Sequence, residues 1–289
     1  MRKLLYIFLL VSAFSFGQSY EEKIANKACE CISKDSETEN LNKLLQKCII
    51  SSKIDVENND PSEKENRQFT VEGIRQTFSD VSKLVIEKCP VLRTKVSEQK
   101  KTNLYKLSSN QKANEYFEKG NQLRDKKQFE LAIKQYKKSI KKDKQFVLAY
   151  DHLGVAFRMI NDFDNSIKAY KKSLEIFAEG DFALLNIAAV YSIKEDESKA
   201  EKYYNNLVDF YPESPEGYYG NGKTNLILGN NEIALKNTLI AFILYEKQDS
   251  NKVSDAETLL GFVYAKMKKD NQLKKFNQIA KEYNVEFEE

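Results

Sequence analysis

The chain has 289 residues, 41% of them hydrophobic and 31% charged, and its formal net charge at pH 7 is +3. This composition excludes an intrinsically disordered chain and supplies enough apolar residues for one large core or two smaller ones. Tryptophan is absent, and there are only 4 prolines and 10 glycines, which favours helices over a turn-rich β fold. We therefore expect an all-α protein.

The N-terminal residues predict export. Arg2 and Lys3 precede an apolar run at 4–11, and small residues follow up to Gly17. This order is typical of a signal peptide, and the run is shorter than the roughly 20 residues that a membrane-spanning helix needs. We expect cleavage of residues 1–17, a periplasmic or secreted mature protein in a bacterial cell envelope, and no stable membrane insertion after cleavage.

Residues 19–96 are predicted to form a small helical domain, which we call the head. Apolar residues recur there at spacings of three and four in three stretches, and this predicts three helices. The stretches are 24–32, 41–49 and 74–89, with Pro90 ending the third. The polar residues 53–68 are predicted to be an exposed loop, and residues 97–112 a linker.

All four cysteines lie in the head: Cys29, Cys31, Cys48 and Cys89. An even number of cysteines in an exported chain predicts disulfides. Because a helix advances by about 100° per residue, Cys29 and Cys31 lie on opposite flanks of the apolar stripe. We predict that each pairs separately with Cys48 or Cys89, and which partner each takes stays open. A metal or redox site is the alternative, but the spacing does not match zinc ligand pairs, so we expect no cofactor and no metal.

The rest of the chain repeats itself. The octapeptide IKQYKKSI at 133–140 recurs as IKAYKKSL at 167–174, 34 positions later. Small residues recur at the same interval, namely Gly120, Gly154, Ala188 and Gly222. Gly261, 39 positions after Gly222, is interpreted as the mark of a fifth unit that follows an insertion of five residues.

Within each unit, apolar residues recur at spacings of three and four, so each unit is predicted to be two amphipathic helices. One helix pair cannot bury its apolar stripe alone, and the pairs are therefore expected to stack. The pattern resembles the tetratricopeptide repeat over residues 113–283. The resemblance implies a right-handed superhelical solenoid of five units: 113–146, 147–180, 181–214, 215–248 and 254–283.

The resemblance also implies a concave groove, lined by the first helix of each unit, that binds a protein or peptide. At the family's groove positions this sequence has Phe117, Asn121, Arg124, Leu148, Asp151, Val155, Arg158, Met159, Phe182, Leu185, Tyr219, Lys223 and Leu226. Ile193 and Ile227 occupy further groove positions. Because this lining is apolar with interspersed Arg and Lys, it favours a partner with apolar anchors and acidic groups.

The sequence contains no recognisable catalytic motif. His152 is the single histidine, and neither a G-x-S-x-G motif nor a Gly-rich phosphate loop is present. The lysines at 137–144 are typical of a solvated helix face, so we expect no nucleic-acid partner. We expect a non-enzymatic scaffold. The alternative is a structural component that assembles as a homo-oligomer or within an envelope complex, where some groove residues pack against the N-terminal segment or a neighbouring copy.

Overall fold

The structure is a computed structural model that describes residues 18–35, 40–62 and 71–285. The predicted signal peptide lies outside these residues. The structure describes 14 helices and, within the same residues, no strand, which confirms the predicted all-α fold. The chain divides into two compact units, Met1–Leu92 and Arg93–Glu289.

The first unit contains helices α1 (Tyr20–Lys34), α2 (Leu41–Asn59) and α3 (Val71–Lys88), and α4 (Pro90–Leu104) begins in it. The second unit continues with α5 (Gln111–Asp125), α6 (Phe129–Lys142), α7 (Val147–Met159), α8 (Phe163–Ile176), α9 (Asp181–Ile193), α10 (Glu197–Phe210), α11 (Pro215–Leu228), α12 (Asn231–Lys247), α13 (Val253–Lys269) and α14 (Leu273–Glu282). None of these described helices combines the length and apolar character that crossing a bilayer requires.

In the first unit, α1 packs against both α2 and α3. Ser19 begins α1 with a capping box, in which its hydroxyl accepts from the Glu22 amide and the Glu22 carboxylate accepts from the Ser19 amide. Helix α2 is longer than predicted, because residues 53–59 are helical and not part of a loop. Ser52 and Val56 are buried on this part of α2, so its inner stripe continues through a polar residue.

The four cysteines lie in two pairs. The Cα atoms of Cys29 and Cys89 are 5.4 Å apart, and those of Cys31 and Cys48 are 5.5 Å apart, both within the range of disulfides. Cys31 lies beside Cys48 of α2, whereas Cys29 lies beside Cys89, the residue that follows α3. The two cysteines of α1 thus have different partners, and the oxidation of both pairs stays a prediction.

The second unit contains five consecutive helix pairs: α5–α6, α7–α8, α9–α10, α11–α12 and α13–α14. Each pair packs against the next. The first helices of neighbouring pairs contact one another, whereas the second helices of pairs one to four lie farther apart. The array of pairs therefore curves toward its first helices.

A residue with positive φ ends the first helix of pairs one to four. These residues are Lys127 (58°), Asn161 (59°), Glu195 (58°) and Gly229 (82°). They stand 34 positions apart, and each donates its amide to a carbonyl of the last helical turn, which satisfies a carbonyl that the helix leaves free. In the fifth pair Asn271 takes this place, 42 positions after Gly229.

Glycines make room for tyrosine rings where the two helices of a pair cross. A Cβ added to Gly120 would lie 2.5 Å from the Tyr136 ring, and one added to Gly154 would lie 2.5 Å from the Tyr170 ring. Gly261 differs, because a Cβ added there would meet nothing within 4 Å. The predicted alignment of Gly261 with the other small residues is therefore not reflected in the packing.

Candidate interaction surface

The residues predicted to line the groove differ in exposure. Phe117 is 4% exposed and Asp151 is 1% exposed, so neither can contact a partner in this conformation. Met159 and Lys223 are exposed. The remaining predicted residues are half-buried: Asn121, Arg124, Leu148, Val155, Arg158, Phe182, Leu185, Tyr219 and Leu226.

The half-buried apolar residues contribute to the core. Leu148 packs against the core of the first two pairs, and Phe182 and Leu185 pack against the core that follows it. Tyr219 and Leu226 pack in the same way near the fourth and fifth pairs. These side chains pack between helices and are accessible only in part.

Three exposed apolar residues share one position on successive first helices. Met159, Ile193 and Ile227 stand 34 positions apart in the last turns of α7, α9 and α11, and they are 51%, 51% and 58% exposed. We call them the apolar row. Because neighbouring first helices are in contact, their equivalent turns are adjacent and the row crosses three helix pairs. Large apolar side chains that stay exposed at a recurring position mark a candidate interaction site.

A polar cluster surrounds His152 in the first two pairs. Its Nδ1 atom lies 2.8 Å from Asn121 Oδ1 and 3.0 Å from Arg124 Nη1, and the Tyr136 hydroxyl donates to Asn121 Oδ1. Burial and the Arg124 charge lower the pKa of His152 to about 4, so the imidazole is neutral at neutral pH. Its ring also packs against Phe117, with centroids 4.9 Å apart. His152 is thus part of the packing.

A segment that precedes the helix pairs packs on the other end of the first helices. We call residues 93–105 the strap; they cover most of α4 and the Tyr105 turn, whose amide donates to the Lys101 carbonyl. Thr94 donates to the Phe210 carbonyl at the end of α10. Lys101 Nζ lies 2.6 Å from Asp181 Oδ2, at the start of α9. The stretch predicted as a linker from residue 97 is therefore helical through Leu104 and held to the array.

The strap closes over a buried carboxyl group. Burial is the main cause that raises the pKa of Asp151 to about 7, and the nearby Asp181 carboxylate raises it further. The hydroxyls of Ser173 and Tyr105 face the Asp151 carboxyl and oppose this rise. Burial also raises the pKa of Tyr105. The Tyr105 hydroxyl of the strap thus lies near an acidic group that was predicted to line an open groove.

Comparison with known proteins identifies the architecture. The family model described as TPR repeat matches residues 120–160. MamA from Desulfovibrio magneticus RS-1 superimposes with a TM-score of 0.51 at 16% identity, over 61% of this chain and 95% of that chain. The array has the tetratricopeptide-repeat fold.

A second solved structure has the same architecture. A tetratricopeptide repeat protein from Parabacteroides merdae ATCC 43184 superimposes with a TM-score of 0.50 at 21% identity, over 60% of this chain and 67% of that chain. The comparison with curated proteins found no match. At these identities the likeness to solved structures shows the fold alone. It gives no information on the roles of the surface residues of this chain.

The contacts of the strap were not predicted from the sequence. Thr94, Ser97, Lys101 and Tyr105 are spaced by three, four and four, which places them on one side of a helix. These side chains are polar, so a search for apolar periodicity passes over them. Pro90 at the first position of α4 was the available signal, because proline is favoured at helix starts.

Proposed function

We propose that this protein is a non-enzymatic scaffold of the bacterial cell envelope that binds a protein or peptide on the first helices of its tetratricopeptide array. The apolar row carries the proposal. Three large apolar side chains stay exposed at the same level of three neighbouring helices. Covering them would stabilise a complex by about 25 cal/mol for each Å² of apolar surface that is removed from water.

The charges near the row support the predicted choice of partner. Lys223 is exposed on α11, and none of the ion pairs among the described residues involves it. Arg124 is already engaged, because it pairs with Asp125 and contacts His152. A partner with apolar anchors and an acidic group near Lys223 therefore complements this surface.

The envelope location is supported by the N-terminal sequence and by the paired cysteines of the head. Disulfides form and persist in oxidising compartments, and both cysteine pairs have the Cα separation of a disulfide. Cell fractionation, with the N-terminus of the mature protein identified by mass spectrometry, tests this location. We expect a mature chain that begins after Gly17 in the envelope fraction, and an uncleaved chain in the cytoplasm would contradict it.

The row itself is tested with a double variant, Ile193→Glu with Ile227→Glu. Crosslinking in cells identifies the partner, and titration of the purified partner measures its affinity. We expect the double variant to bind at least about tenfold more weakly, because charged side chains replace two anchors at the interface. Ile233→Glu is the matched control, since Ile233 is 47% exposed on the second helix α12. Equal affinities of the double variant and the wild type would remove the row from the interface.

Self-assembly is distinguished by light scattering. A scaffold with a free row stays monomeric over the concentrations used for titration. A dimer that the double variant dissociates would show that the row joins copies of this chain, which favours the structural alternative.

A further inference from the structure

The strap contacts the array through one polar side of its helix. Lys101 pairs with Asp181 and stands over the Tyr211 ring, with Nζ 6.0 Å from the centroid. Lys100, next to it, pairs with Glu179. One turn later, the Tyr105 hydroxyl faces Asp151. A lysine and, four positions later, a tyrosine thus lie on the side of the strap that faces the array.

Three acidic residues of the array form the receiving surface, and we call Asp151, Glu179 and Asp181 the acidic strip. Asp151 is 1% exposed, and its Oδ1 atom has no hydrogen-bond partner among the described residues. The Oδ1 atom of Asp181 is buried and has no partner there either. A buried acceptor without a donor costs free energy, so the strap satisfies this surface only in part.

The contacts of the strap also favour its release. Its ion pairs through Lys100 and Lys101 involve partly exposed side chains, and such pairs contribute little to stability. Another segment that offers the same donors can therefore compete with the strap for these ion pairs.

We propose that the acidic strip is a docking site for a helical segment of a partner protein that carries a lysine and, four residues later, a tyrosine, and that the strap is its built-in competitor. When the strap is closed, its own Lys101 and Tyr105 occupy the strip. When it opens, the partner segment binds the same acceptors.

This site is separate from the apolar row. Asp151 lies in the second turn of α7 and Met159 at its end, eight residues later. At 1.5 Å per residue, the two residues are about 12 Å apart along the helix. The proposal therefore goes beyond the proposed function, and either one can fail without the other.

The test uses a labelled synthetic peptide with the sequence of residues 93–107 as the probe, added to the mature full-length protein. Fluorescence anisotropy measures its binding to the wild type and to a loosened variant, Lys101→Ala with Tyr105→Ala. A third protein adds Asp181→Asn to the loosened variant. Lys106→Ala is the matched control, because Lys106 is exposed beside Tyr105 and has no ion pair among the described residues.

We expect the loosened variant to bind the peptide about tenfold more tightly than the wild type, since closure of the strap hides the strip for most of the time. Lys106→Ala should bind like the wild type, and adding Asp181→Asn should remove the gain. Equal binding by the loosened variant and the wild type overturns the proposal. Absence of peptide binding to both, or a gain that survives Asp181→Asn, also overturns it.

A second measurement covers the case in which the loosened variant does not fold. Asp181→Asn alone keeps the size of the side chain and removes the charge that Lys101 pairs with. Hydrogen exchange of amides 97–105 should accelerate at least about threefold in this variant, because the strap opens more often. Exchange that equals the wild type would show that the strip does not hold the strap.

Discussion

Gly154 of α7 lies against the ring of Tyr170 of α8, so closely that a Cβ at position 154 would stand 2.5 Å from Cε1 of the ring. We predict that Gly154→Ala lowers the free energy of unfolding by about 1–3 kcal/mol, because the added methyl group must displace a buried ring. Urea denaturation of the mature protein measures the change.

Gly261→Ala is the matched control for this prediction. The same methyl group meets nothing within 4 Å there, and position 261 lies inside helix α13. Alanine should raise stability by about 0.5–1 kcal/mol, because glycine is the poorer helix former. If both substitutions change stability equally, the ring contact at Gly154 is not the cause.

The positive φ values at the ends of the first helices predict a second pair of opposite effects. Glu195 has a φ of 58°, a conformation that is strained for a residue with a Cβ. Glu195→Gly should therefore stabilise the array by up to about 1 kcal/mol. Gly229→Ala, at the equivalent position one repeat later, should destabilise the array by about 1 kcal/mol, since φ is 82° there. Thermal unfolding of both variants checks the signs, and two changes of the same sign would contradict the argument.

The head should depend on its disulfides. Bonds between Cys29 and Cys89 and between Cys31 and Cys48 would close loops with sequence separations of 60 and 17 residues. Each is expected to stabilise the head by about 3–4 kcal/mol. Peptide mass spectrometry without reductant should recover these two linkages. Reduction should lower the urea concentration at which the head unfolds. Free thiols in the protein purified from the envelope, or a crossed pairing, would contradict the prediction.

The helix pairs could be predicted because steric requirements leave traces in the sequence. Gly120 and Gly154 are needed where a tyrosine ring meets a backbone, and this need leaves two glycines 34 positions apart in the first two pairs. The fifth pair was harder to align, because Gly261 has no neighbour that requires glycine. The fifth pair is instead aligned with the fourth by Asn271, the positive-φ residue after its first helix, which follows Gly229 by 42 positions.

The strap and the burial of Asp151 could not be predicted in this way. An aspartate in a first helix is usually exposed, whereas Asp151 is 1% exposed in the folded array. The end of α2 was not predicted for the same reason. The buried side of this helix includes the polar residue Ser52, which interrupts the apolar pattern. Periodicity finds apolar contacts, whereas polar contacts between distant segments require the three-dimensional structure.

The buried carboxyl of Asp151 predicts that closure of the strap depends on pH. The groups that face it are the hydroxyls of Tyr105 and Ser173 and the carboxylate of Asp181. Its pKa is about 7 when the strap is closed, and we take the ordinary value of 3.8 for the open state. Because closure raises this pKa, closure is most favourable below the ordinary value and weakens as the pH rises to about 7. Above that pH no further change is expected from this group.

Hydrogen exchange of amides 97–105, corrected for the intrinsic effect of pH, measures this dependence. The free energy of strap opening should fall by up to about 1 kcal/mol per pH unit within the window. Asp151→Asn keeps the shape of the side chain but does not titrate, so its profile should be flat. Glu98→Gln removes an exposed carboxyl from the strap itself and should retain the wild-type slope. A slope that persists in Asp151→Asn would assign the pH dependence to another group and contradict this prediction.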